Sequence, residues 1–269
     1  MKSYTINTDY GEIYIEEKGE GVPLLAIHGV LSSGRSFEPL LDNPPQNSRV
    51  ITVDLPGHGR SVPSKDFIPN WNSYADIIEV IIDKMELSQI NIIGHSMGGG
   101  IAAFTGSKLK NRVQKLILLD SLTGYFAPPL KGKLPQIPIL GYLIFKFFYN
   151  EKLFFSYFKN DVFYDSDKIN TQRVKSFYED FNKHRQLTLL AIRNTAKQTE
   201  IVNSLSSITA DTLIIWGAND RLIPKNVAYE TKKLIRTSTI KMIEKCGHSP
   251  LEEQTTKTLN ALNEFLLTP

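Results

Sequence analysis

The hydrophobic positions along this chain follow two rhythms. Short apolar runs, rich in β-branched residues and ended by polar or turn residues, recur at VPLLAIH (22–28), RVITVD (49–54), INIIG (90–94), VQKLILLD (113–120), TLIIWG (212–217) and TIKMIE (239–244). Runs of this kind read as buried strands. The N-terminal YTINTDYGEIYIEE alternates apolar and polar positions around a turn at Asp9–Gly11, the pattern of two more strands. Helical spacing fills several gaps. In WNSYADIIEVIIDKMEL (71–87), Tyr74, Ile77, Ile78, Ile81, Ile82 and Met85 fall on one stripe. Ser73 is placed to cap its first turn, with Asp76 three residues on. IAAFTGSKLK (101–110), NVAYETKKLI (226–235) and EEQTTKTLNALNEFLL (252–267) are helical patterns too. Alternating strands and helices predict an α/β fold, a mostly parallel eight-stranded sheet with helices on both faces.

One stretch breaks the alternation. No strand pattern stands out from Ser121 to about Glu200, and the segment holds ten Phe and six Tyr. It carries 12 Lys and Arg against 7 Asp and Glu, net +5, which leaves −2 for the rest of the chain. This shift marks a helical insertion, or cap, over residues 121–200. It follows the sixth strand of a core made from residues 1–120 and 201–269.

Bulk properties narrow the function classes. With 269 residues, 41% of them hydrophobic and 22% charged, the chain suits a globular domain. A net charge of +3 without a basic stripe gives no basis for nucleic-acid binding. A lone cysteine, Cys246, rules out an intrachain disulfide and agrees with a reducing compartment. It is expected to be a buried filler. The N-terminus lacks the apolar core of a signal peptide. The most apolar stretch, IPILGYLIFKFFY (137–149), is interrupted by Lys146 and is short of the roughly 20 residues that span a bilayer. A soluble, cytoplasmic protein is expected.

The chemistry concentrates at INIIGHSMGGG (90–100). Glycine lowers helix stability by roughly 1 kcal/mol relative to alanine at an interior position, so three in succession are a poor helix start. They make sense in a sharp strand-to-helix turn of the G-x-S-x-G type, which lifts a serine hydroxyl into the open at a helix N-terminus. Gly94 and Gly98 let the two arms of the turn approach, and Gly99 and Gly100 let the helix lie near its neighbours. Ser96 is the candidate nucleophile.

A serine needs a base to take its proton. Of the five histidines, His248 follows the last strand in EKCGHSPLEEQ, at the C-terminal sheet edge where sites of open parallel sheets gather. The base needs an orienting carboxylate. Asp220, in GANDRLIP after a strand, is the first choice, and Asp120, ending the strand before, is the second. Asp211 lies at the wrong end of its strand. The N–H groups of Met97 and Val30 are the expected oxyanion donors. His28 and Gly29 are expected to shape the Val30 loop.

These pieces resemble the α/β-hydrolase superfamily. HGV (28–30), DLPGHGRS (54–61), GHSMGG (94–99), WGANDRLIP (216–224) and CGHSP (246–250) match its motifs in order, across most of the chain outside the insertion. The resemblance places nucleophile, acid and base on Ser96, Asp220 and His248, and a lid after the sixth strand. It implies that Asp54, Gly57 and Gly59 shape a turn beside the site. Ser96 speaks against the epoxide-opening and dehalogenating relatives, which use an aspartate there.

The expected activity is hydrolysis of a carboxylic ester with a hydrophobic acyl or alcohol part, with no metal or organic cofactor. Cleavage of an activated carbon–carbon bond and thioester hydrolysis are the alternatives. A non-catalytic receptor on the same fold is a more distant one. For carbon–carbon cleavage, His184, Arg185 and Arg193 are the cap residues offered to a substrate enol or carboxylate. The basic, aromatic cap also suggests weak contact with an anionic lipid surface.

Overall fold

The computed structural model describes residues 1–127 and 133–268, so positions 128–132 of the expected insertion lie outside the described residues. Among the described residues nine strands form one sheet: β1 (Lys2–Thr8), β2 (Gly11–Gly19), β3 (Val22–Ile27), β4 (Ser48–Val53), β5 (Val62–Pro63), β6 (Ile90–His95), β7 (Val113–Leu119), β8 (Asp211–Gly217) and β9 (Ser238–Ile243). Eight follow the order β1-β2-β4-β3-β6-β7-β8-β9, and the two-residue β5 pairs with β2 off that path. The pairs from β4 through β3 to β9 are parallel, while β2 is antiparallel to β1, β4 and β5. The sheet is therefore α/β and mostly parallel, and the sequence pattern lacks only β5, which is too short to leave one.

Period-two alternation assigns each strand residue to a layer. Leu25, Ile27, Ile51, Val53, Ile92, Leu116, Leu118, Ile214 and Trp216 face one side, against the helices Trp71–Lys84 and Met97–Lys108. Their neighbours Leu24, Ala26, Val50, Ile93, Ile117, Leu119, Leu213 and Ile215 face the other, against Phe37, Leu40, Leu41, Leu251 and Leu262. Both faces are covered, so the central strands are apolar throughout. Trp216 is fully buried and donates its indole N–H to the Ile223 carbonyl at 3.2 Å.

Two helix termini differ from the pattern. The helix Trp71–Lys84 is capped by Asn70, whose side chain accepts from the Ser73 N–H, while the Ser73 hydroxyl accepts from the Asn70 N–H. Ser73 thus occupies the third helical position of a reciprocal box, not the cap. Asp76 takes no part and pairs with Lys108 at 3.1 Å. The helix expected over 252–267 is two, Pro250–Glu253 and Thr255–Leu267, broken where Gln254 leaves helical angles at φ −125°, ψ 50°.

Between β7 and β8 the described residues form only helical and irregular structure: Pro138–Leu143 continuing into a π-helical turn Ile144–Phe148, Glu151–Tyr157 continuing into Phe158–Val162, the long Thr171–Asn194, and Thr199–Ser204. Its buried aromatics make a third apolar cluster from Phe145, Phe154, Phe158, Phe163, Phe177 and Phe181. Phe154 meets Tyr149, Phe158, Tyr178 and Phe181 at ring separations of 5.1–6.1 Å. No described helix is long and apolar enough to cross a membrane.

Candidate active site

β6 ends at His95 and a helix begins at Met97, so Ser96 alone makes the turn, at φ 54°, ψ −120°. A positive φ disfavours a residue with a Cβ by about 1–3 kcal/mol. Hydrogen bonds on both sides hold it there. The Ser96 N–H donates to the Leu119 carbonyl on β7 at 2.9 Å, and its own carbonyl accepts from Gly99, Gly100 and Leu122 at 3.0, 3.2 and 2.9 Å. The glycines are steric requirements. A Cβ on Gly94 would collide with the Gly98 carbonyl, and one on Gly98 with the carbonyls of Ile27 and His28. Gly99 and Gly100 lie against Ser121 and Trp71.

The Gly29–Val30 loop after β3 sits against this turn. A Cβ on Gly29 would lie 3.0 Å from that of Ser96. His28 shapes the loop. Its Nδ1 donates to the Gly29 carbonyl at 2.7 Å and its Nε2 accepts from the Leu55 N–H at 3.0 Å. Burial lowers its pKa, which keeps the ring neutral for both bonds. Met97 is the first helical residue, so its N–H has no carbonyl one turn back. Asp54 is buried and committed. It accepts from the Gly34 N–H at 2.7 Å and from the Arg60 N–H and Nε at 2.8 Å each. Gly57 and Gly59 both have positive φ, and a Cβ on Gly59 would collide with the Asp54 carboxylate. These three residues build a turn.

His248 lies between β9 and the helix Pro250–Glu253. Its Nδ1 is 2.7 Å from Asp220 Oδ2. The other oxygen of Asp220 accepts from the N–H groups of Leu222 and Ile223 at 2.7 and 3.1 Å. Burial would raise the Asp220 pKa, but His248 and those two N–H groups outweigh it and hold the carboxyl below its ordinary range. An ionised carboxylate only accepts, so Nδ1 carries a proton, and in the neutral ring that tautomer puts the lone pair on Nε2.

The second-choice acid, Asp120, is fully buried at the end of β7 with φ 40°. Its Oδ1 accepts from the Gly217 N–H at 2.9 Å. Burial, then the charge of Asp220, push its pKa well above the usual range, so it is the neutral member of the pair. Ligand atoms of Asp120, Asp220 and His248 lie within 4.8 Å of one another. As a metal set they fit poorly, because the hydrogen bond to Asp220 uses the histidine nitrogen that faces the carboxylates.

Three supports of His248 leave little trace in the sequence. His95 donates from Nε2 to the His248 carbonyl at 2.6 Å, and its pKa, lowered to about 3 by burial first and then by His248, keeps it neutral. The His248 N–H donates to the Val162 carbonyl at 2.7 Å. Buried Glu253 accepts from the N–H groups of Gly247 and Asp165 at 2.6 Å each. The loop carrying the histidine is therefore bonded to the helical segment as well as to the sheet. Cys246 is fully buried, and burial raises its thiol pKa, which makes it an inert filler.

Ser96, His248 and Val30 line one cavity of about 450 Å³. Leu31, Leu222, Phe126, Ile144, Phe145, Tyr149, Leu153 and Phe158 give it an apolar lining, with hydroxyls from Ser32, Ser36, Ser156 and Ser249. Among the described residues the lining has no Lys or Arg, and its charged members are Asp161 and Glu252. The cations offered for a substrate carboxylate are elsewhere. Arg185 donates to the carbonyls of Phe145 and Tyr149 at 2.5 and 2.9 Å, and Arg193 to those of Pro135 and Ile137 at 2.8 and 3.1 Å. His184 and Arg185 line a separate cavity of about 400 Å³.

Comparison with known proteins agrees with this architecture. A hydrolase from Pseudomonas putida named for 2-hydroxy-6-oxononadienedioate and 2-hydroxy-6-oxononatrienedioate is 29% identical over 249 residues, 88% of this chain and 85% of that protein. A thermophilic esterase from Thermogutta terrifontis superposes with a TM-score of 0.81 at 21% identity, covering 99% of this chain and 98% of that one. A meta-cleavage product hydrolase from Pseudomonas fluorescens superposes with a TM-score of 0.82 at 19% identity, covering 98% and 97%. The family model of the alpha/beta hydrolase fold matches residues 22–255. With strand order, serine turn and family model in agreement, the chain belongs to the alpha/beta hydrolase fold family and its activity class is that of a hydrolase.

Proposed function

We propose that the chain is a serine hydrolase of carboxylic esters whose acyl or alcohol part is apolar and uncharged. The observation that carries this is the cavity at Ser96 and His248, walled by aromatic and aliphatic side chains with no described Lys or Arg. The segment 121–200 is its cap, set on a core of residues 1–120 and 201–269.

In the proposed reaction His248 Nε2 takes the Ser96 proton as the serine oxygen attacks the acyl carbon. The N–H groups of Val30 and Met97 receive the oxyanion, where preorganised donors are worth about 3–4 kcal/mol each. Asp220 keeps the proton on Nδ1 and stabilises the imidazolium. The alcohol departs with the proton from Nε2, leaving an acyl group on Ser96. Water, deprotonated by His248, then releases the acid.

Carbon–carbon bond cleavage is the second reading, favoured by the name of the Pseudomonas putida relative. A dienedioate is a dianion near neutral pH. The described lining offers no Lys or Arg to pair its two carboxylates, and Arg173, which lies outside that lining, is already paired with Glu252 at 2.9 Å. The same triad would serve a thioester.

The test is turnover of p-nitrophenyl esters from acetyl to palmitoyl by wild type and Ser96→Ala, beside ultraviolet-monitored loss of a 2-hydroxy-6-oxodienoate. Ester turnover that the substitution removes supports the reading. Dienoate loss without ester turnover replaces it with carbon–carbon cleavage.

A further inference from the structure

Water-facing apolar side chains are unevenly distributed on this molecule. Ile139, Leu140, Leu143 and Phe147 recur at helical spacing from Pro138 through Phe148 and share one face. Ile139 is 77% exposed, Phe147 64% and the adjoining Phe148 66%. Leu153, at the start of the next helix, is 48% exposed and also lines the Ser96 cavity, as do Leu134 and Pro135 just before the stripe. The outer apolar face is thus continuous with the cavity wall.

Its charges are of one dominant sign. From residue 133 to 153 the charged side chains are Lys133, Lys146, Lys152 and a single acid, Glu151, all exposed. Lys146 lies 5.2 Å from the Phe147 ring centroid and donates to the Tyr142 hydroxyl at 2.9 Å, which sets an ammonium within the stripe. A face of exposed aromatics and leucines with lysines interleaved has the make-up of an interfacial helix, apolar side chains entering the acyl boundary and lysines meeting anionic headgroups. A second copy of the chain would fit less well, because two such faces would bring lysines against lysines.

We propose that the face formed by Ile139, Leu140, Leu143, Phe147 and Phe148, with Lys133, Lys146 and Lys152, docks on an anionic lipid bilayer. Docking sets the neighbouring cavity wall at Leu134, Pro135 and Leu153 toward the bilayer, so an apolar molecule leaving the membrane meets the entrance without crossing bulk water. The contact is interfacial, since no described helix can span.

The experiment is co-sedimentation of the full chain carrying Ser96→Ala, which leaves vesicle lipids unhydrolysed. Vesicles are phosphatidylcholine alone, or phosphatidylcholine with phosphatidylglycerol. Binding is expected with the anionic vesicles, weakening as salt screens the lysines. Adding Phe147→Ser and Phe148→Ser should weaken it about tenfold per phenylalanine. Lys146→Gln with Lys152→Gln should remove the preference for phosphatidylglycerol. Neither phenylalanine lines the Ser96 cavity, so on the wild-type background the serine pair should hydrolyse a soluble acetyl ester unchanged, which also reports that the fold is intact. No sedimentation at low salt, or equal binding by the serine pair, overturns the proposal. So does a dimer in analytical ultracentrifugation that the serine pair dissolves, since it assigns the face to a second copy. The binding readouts need no turnover, so they can fail while the ester reading stands.

Discussion

The sheet body and the helical segment between β7 and β8 hold their shares of the site by different means. At the Ser96 turn of the body, position is a matter of backbone. Ser96 is fixed by four main-chain hydrogen bonds and by glycines whose replacement would drive a Cβ into carbonyls of neighbouring strands and turns. In the segment, position is a matter of side-chain packing. The cavity wall is carried by stacked rings around Phe154, interrupted by two π-helical turns and by non-helical angles at His184. Backbone restraint holds one geometry. Ring packing tolerates exchange of one apolar side chain for another of similar volume, so it restricts the wall less than the carbonyl contacts restrict the turn.

The strongest test of this division is Ser96→Ala. Turnover should fall about 10⁴-fold or more, while the melting temperature is unchanged or higher because a strained position loses only its hydroxyl. A large loss of stability would mean that the turn depends on the hydroxyl and not on the backbone. Next is Gly98→Ala. A single methyl group directed at the Ile27 and His28 carbonyls should remove about 4 kcal/mol or more of stability, read by urea unfolding of the whole body. Phe154→Ala should cost a comparable 3–5 kcal/mol in packing, but locally. Hydrogen exchange should rise across residues 138–194 with little change in β3, β6 and β7, and a uniform rise would show that the two regions melt as one.

A smaller and pH-dependent effect separates the two acids. The folded pKa of Asp120 is raised above the unfolded value near 3.9, so its contribution is complete below that pH and lost as pH rises toward the folded value. Asp120→Asn keeps an oxygen for the Gly217 N–H and has no proton to lose. Its melting temperature relative to wild type should therefore climb with pH above about 4. Asp220 runs the opposite way. Its depressed folded pKa stabilises above about pH 3.9, and that stability disappears as pH falls through the folded value. A flat difference for Asp120→Asn in scanning calorimetry would show that Asp120 is ionised like its neighbour.

What was legible follows from the range of the interactions involved. Strands were readable because burial on both faces leaves unbroken apolar runs, and the Ser96 turn because its glycines are adjacent to it in the chain. The cap of Trp71–Lys84 is ambiguous in the sequence because Asn70 and Ser73, three residues apart, are both competent and the box uses both. The break at Gln254 was hidden because the amphipathic stripe runs through it. Arg185 and Arg193 looked available for a substrate, yet each is spent on carbonyls between 36 and 58 residues away. The supports from His95, Glu253 and Val162 to the His248 loop are of the same long-range kind, and a buried carboxylate such as Glu253 has the same letter as an exposed one.

That last set of bonds bears on transplantation. Because it supplies most of the aromatic lining of the cavity, the region between β7 and β8 invites exchange as a module. Here the main chain at Val162 and Asp165 belongs to that module, while the Gly247–His248 loop and Glu253 that bond to it belong to the recipient. A graft joined downstream of Asp165 replaces both anchors along with the pocket wall. The chimera would then have to rebuild the register of its histidine from a donor backbone that never evolved to meet it.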